Sequence, residues 1–146
     1  MRPRPQMIFR RPLAREQRAE LRAFAADLAE QVLCGRGFDC LLTGDRQLRD
    51  LNRDFLGQDY ATDVLSFPSG AEDPAGELAI SWDRAREQAS AQGHDAVTEI
   101  RILMLHGVLH LAGMDHETDR GRMRRAETKW RRHFGLPSGL IERSGR

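Results

Sequence analysis

The chain has 146 residues, 40% hydrophobic and 31% charged, which fits one soluble domain with a real core and leaves too little for two. No stretch approaches the roughly 20 apolar residues of a membrane span, and the basic start MRPRPQMIFRRP lacks the apolar run and cleavage site of a secretory signal. The net charge of +1 hides an uneven spread: residues 1–22 and 120–146 are rich in arginine and the middle is acidic, a pattern that suits a polyanion such as RNA or, equally, solvated helix faces.

Gln6 to Arg10 reads as a first strand. From Leu13 the pattern turns helical, with Leu21, Phe24, Ala25, Leu28 and Val32 on one face until Gly35 and Gly37 stop it. Phe38 to Thr43 is a short buried strand. Asp45 then caps a helix whose inward face is Leu48, Leu51 and Phe55. A loop over 57–62 leads to the strand DVLSFP (63–68), which stops at Pro68. A second loop leads to the strand Glu77 to Ser81. Trp82 to Ala91 forms a helix closed by Gly93. Asp95 or Thr98 caps the next helix, which runs to about Ala112 and is apolar almost all round, so it belongs in the core. A last helix spans about Asp119 to His133, with Met123, Ala126, Trp130 and Phe134 inward. The strands and helices do not alternate regularly. The reading is α+β: a single compact domain over residues 1–146, with a small mostly parallel or mixed sheet covered by helices. Cys34 and Cys40 form no CxxC pair and read as small buried residues of a reducing, cytoplasmic compartment.

Three of the five histidines fall in LHGVLHLAGMDH, residues 105–116. His106 and His110 are i and i+4, one turn apart on one face of the buried helix. A straight helix cannot bring a third ligand to the same point six residues later. Gly113 can take the left-handed conformation that ends a helix, and the chain can then fold His116 back over the first two. Three neutral imidazoles leave a tetrahedral zinc one open position, the arrangement of a catalytic metal. The cofactor expected is one Zn2+ per chain, at the end of a buried helix. The H-x3-H-x5-H spacing is that of the metzincin-like peptidases, H-E-x-x-H-x-x-G-x-x-H, but Gly107 stands where their catalytic glutamate would be. That exchange removes the base and leaves space beside the metal, so the pattern leans away from proteolysis. Asp115, Glu117 and Glu99 remain as candidate bases or as partners that orient a ligand.

HGVLHLAGMDH resembles the H-G-x-L-H-L-x-G-x-D-H motif of the YbeY family of bacterial metal-dependent endoribonucleases. LNRDFLGQDYATDVLSFP (51–68) and GELAIS (76–81) are similar to two further blocks of that family, in the same order and at the same separation. The resemblance covers the chain from about Leu41 to its end. It implies a zinc site of His106, His110 and His116 in a cleft. The implied activity is a single-strand endoribonuclease in ribosomal RNA maturation, namely 16S rRNA 3′ end processing, and in ribosome quality control. The implied partners are ribosomal RNA or the small ribosomal subunit, with ribosomal proteins and ribosome-assembly GTPases, and no membrane. Leu56 departs from the family, which usually has an arginine there. Arg53, one turn back, is a candidate replacement, and Arg120, Arg124 and Arg125 are further candidates for holding RNA, as are Arg10 and Arg11. The alternative is a ribosome assembly factor with a mainly structural metal, and a metallopeptidase is the third reading.

Overall fold

The computed structural model describes residues 5–58, 62–70, 73–115 and 119–144. Four strands, β1 (Gln6–Phe9), β2 (Asp39–Thr43), β3 (Val64–Pro68) and β4 (Gly76–Ser81), form one sheet in the order β1-β2-β4-β3. β1, β2 and β4 run parallel and β3 is antiparallel to β4 at the edge, so the sheet is mixed. The register sets Met7 beside Cys40, Cys40 beside Leu78, and Leu65 beside Ala79.

The period-2 alternation of strand side chains divides the apolar residues between two faces. Cys40, Leu42, Leu78 and Ile80 enter the main core under α1 (Arg15–Asp27) and α4 (Ala96–Leu111). On the other face, Leu41, Leu65, Phe67 and Ala79 meet Leu48 and Leu51 of α2 (Asp45–Leu56). Helices α3 (Trp82–Gln92), α5 (Arg122–His133) and α6 (Leu140–Ser144) complete the domain. Among the described residues no helix is long and apolar enough to cross a membrane.

Several expectations change in detail. The first helix reaches Val32 as expected, but it is not α-helical beyond Asp27. It runs on through a π-helical turn over Leu28–Val32, where Leu33 N–H bonds to Leu28 O. Gly44, not Asp45, is the N-cap of α2; Asp45 is already helical and accepts the Ser81 hydroxyl. Phe55 is 69% exposed, because it lies at the last turn of α2, and only its edge meets Phe67. Cys34 is exposed, in a left-handed turn with φ of 56°. Cys40 is buried, and burial, with Asp39 adding to it, pushes its thiol up to about 12. The helix α6 was not anticipated.

Of the two caps considered for α4, Asp95 is the one used: its carboxylate accepts from Thr98 N–H at 2.8 Å. Hydrogen bonds from Thr98 hold the Asp95 carboxyl below its ordinary 3.8. Its contribution is therefore full above that ordinary value and is lost as pH falls through the lower folded value. Asp95→Ala is expected to cost about 1 kcal/mol, seen as a melting temperature lower by about 4 °C near neutral pH. The difference from wild type should shrink on acidification below pH 4 or so. A difference that grows with acid would assign the cap wrongly.

Candidate functional site

The site begins with the most buried helix. Twelve of the sixteen residues of α4 are buried, so the helix threads the middle of the molecule between the sheet and α1, α3, α5 and α6. His106 and His110 lie near its C-terminal end with ring centroids 4.9 Å apart, as their i, i+4 spacing requires. Both line an open cleft of about 670 Å³. The opposite wall comes from Asn52, Leu56 and Gln58 at the end of α2 and from Asp63 to Ser66 leading into and along β3.

Each ring is oriented by a different device. The buried Nδ1–H of His106 donates to Glu127 Oε2 on α5 at 2.8 Å. The Nδ1–H of His110 donates to Met114 O at 2.9 Å. That carbonyl is delivered by the helix end itself. Gly113 takes φ of 93°, its N–H bonds to His110 O, and Met114 N–H bonds back to Leu109 O, which closes the helix in a left-handed cap. Because carboxylate and carbonyl oxygens only accept, both rings carry a proton on Nδ1, which in a neutral imidazole places the lone pair on Nε2. Two imidazoles anchored through Nδ1 on one helix face are a donor set suited to zinc.

His116, predicted as the third ligand, and Glu117 lie outside the described residues. Asp115 lines the cleft and is exposed. Glu99 does not line it: seven residues of helix separate it from His106 by about 10 Å of rise. Its buried carboxylate is held instead by both terminal nitrogens of Arg143, at 2.8 and 2.7 Å, and by His94 Nε2 at 2.8 Å. Among the described residues no arginine lines the cleft. Arg53 is paired on the surface with Asp50 and Asp54. Arg120, Arg124, Arg125, Arg10 and Arg11 are exposed outside the cleft. Gly107 corrects the sequence reading: it opens no space at the cleft. A Cβ there would lie 2.7 Å from Leu78 Cδ2 and 3.3 Å from Ser66 Oγ, so glycine is needed where the helix presses on β4 and β3. The residue that sequence reasoning missed is Glu127, 21 positions from its histidine and hidden among arginines.

With this geometry the chain can be set beside known proteins. A family model described as Endoribonuclease YbeY matches residues 13–135. Two relatives named Endoribonuclease YbeY are those of Solibacter usitatus and Nautilia profundicola. The first is 58% identical over 137 residues, spanning 94% of this chain and 92% of the relative. The second is 45% identical over 115 residues, spanning 77% and 83%. The solution structure of TM1509 from Thermotoga maritima superposes with a TM-score of 0.62 at 26% identity, covering 86% of this chain and 85% of that one.

Proposed function

Since this chain belongs to the endoribonuclease YbeY family, we propose that it is a single-domain, zinc-dependent endoribonuclease of the cytoplasm that cuts single-stranded ribosomal RNA during maturation, including the 3′ end of 16S rRNA, and serves ribosome quality control. Its partners on this reading are the small ribosomal subunit, with ribosomal proteins and assembly GTPases. The observation that carries the reading is the pair of histidines on one cleft wall, both with the proton fixed on Nδ1.

His106 and His110 fit a metal by their chemistry, and His116 is the third ligand of the metzincin-like set. A zinc held there would supply Lewis-acid polarisation and a water acidified toward neutrality. The rest belongs to the chain. Glu127 and Met114 O keep the two rings in the ligating tautomer. Asp115, exposed at the cleft, is the favoured general base, with Glu117 the alternative. Glu99 is withdrawn from that role because Arg143 and His94 engage it. The open cleft admits an extended single strand, whose backbone would pass to the exposed Arg120, Arg124 and Arg125. Arg53 is reserved for the surface, since two aspartates compete for it.

The direct test is cleavage of ribosomal RNA fragments and of a peptide mixture by purified protein, before and after chelation and after zinc is restored. RNA cleavage that follows the metal supports the nuclease. Ribosome binding without cleavage under any condition would favour the assembly factor, and cleavage of peptides alone the metallopeptidase. Leu56 offers a second test. It lines the cleft and is 49% exposed, so an arginine there has room to reach a phosphate. Leu56→Arg is expected to tighten single-stranded RNA binding and steepen its salt dependence by about 0.7 in the log–log slope, one phosphate's share. An unchanged slope would place the RNA backbone elsewhere.

A further inference from the structure

Glu127 is 1% exposed, yet both of its oxygens are engaged: Oε2 accepts from His106 Nδ1 and Oε1 accepts from Ile141 N–H at 2.7 Å. A backbone amide can only donate, and the imidazole donates to a carboxylate. The group between them must therefore accept at both ends, which a carboxylate does and a carboxamide cannot. The second donor belongs to α6. That helix has five residues, too few to stand alone. It is fastened by buried Leu140 and Ile141 and by polar ties from consecutive residues: Ile141 to Glu127, Glu142 to Thr128 and Arg131, Arg143 to Glu99. The chain enters α6 through Gly139, where a Cβ would lie 2.4 Å from Glu127 Oε1 and 2.9 Å from its Cγ and Cδ. Gly139 thus leaves room for the carboxylate to sit where it does.

We propose that Glu127 is a positioning residue for metal binding and that the docked helix α6 sets its carboxylate, so that the docking of α6 determines how tightly His106 holds the metal. This rests on the reading of His106 and His110 as ligands. The carboxylate fixes the His106 tautomer and ring orientation, and α6 fixes the carboxylate from the other side. A ligand on α4 is thereby coupled to a helix remote from it in sequence.

The test uses the full chain, freed of metal, with Zn2+ alone as probe. Affinity is measured by competition with a chromophoric chelator, and the His106 tautomer from ring 15N shifts in the metal-free protein. Glu127→Gln keeps the shape and loses one acceptor. Gly139→Ala removes no polar group and only presses on the carboxylate. Each is expected to weaken zinc binding about 10–100-fold, and Glu127→Gln to move the ring away from the Nδ1–H form. A purely structural role would lower the melting temperature of the metal-free protein yet leave the zinc affinity of the folded fraction and the ring shifts unchanged; that result overturns the proposal. Should Glu127→Gln fail to fold, Gly139→Ala decides it, and wild-type zinc affinity in that variant overturns it equally. His110→Ala runs alongside: if it binds zinc as well as wild type does, the ligand assignment itself fails and this proposal falls with it.

Discussion

His110→Ala is expected to lose RNA cleavage by more than the ~10–100-fold that loss of a ligand's orienting partner costs, and to lose bound zinc with it. The two effects have one cause, since the substitution deletes the only described side chain that shares a cleft wall and helix face with His106. The fold should survive. His110 is half-buried near the helix end, and its bonded partner, Met114 O, belongs to an exposed turn that water can serve. The control is His133→Ala, which removes a histidine bonded to Gln31 on an exposed surface and should leave cleavage unchanged. Single-turnover rates and zinc content per chain check the prediction. Wild-type cleavage by folded His110→Ala would refute the metal site.

Gly107→Glu should disrupt the protein without creating a peptidase. The position faces the sheet, and its Cβ would meet Leu78 and Ser66 at 2.7 and 3.3 Å. Overpacking of this kind costs about 1–3 kcal/mol even for an alanine, of which the better helix propensity returns up to ~1 kcal/mol. A glutamate adds a carboxylate buried against the Leu78 side chain, worth several kcal/mol more. Thermal unfolding should show a drop on the order of 10 °C or more, with Gly107→Ala in between. A stable Gly107→Glu protein that cuts peptides would mean that α4 can rotate away from the sheet and that the glycine is a choice of chemistry after all.

Much of the scaffold was legible because its signals are local. Short apolar runs between turn residues mark β2 and β4, the i, i+4 spacing puts His106 and His110 together, and Gly113 announces the turn that orients His110. What was not legible depends on distance. Glu127 reads as one acid among many arginines, and only the packing of α5 on α4 brings it to His106. The helix α6 has too few residues for any periodicity. Phe55 carries the right phase for an inward residue but sits where α2 runs past the cover of the sheet. At Gly107 the missing side chain suggests space at the site, because a sequence does not say which neighbour occupies it. Glu99 shares a helix with the histidines, but helical rise carries it out of reach.

The burial of α4 also divides the freedom to vary between the two walls of the cleft. Most positions of the histidine-bearing helix are core positions, where a change of one methylene is felt by the neighbours. The facing wall ends in Leu56 and Gln58 at the end of α2, both exposed. Leu56, half exposed on that facing wall, is thus a position where the cleft's lining can change at little cost to the fold.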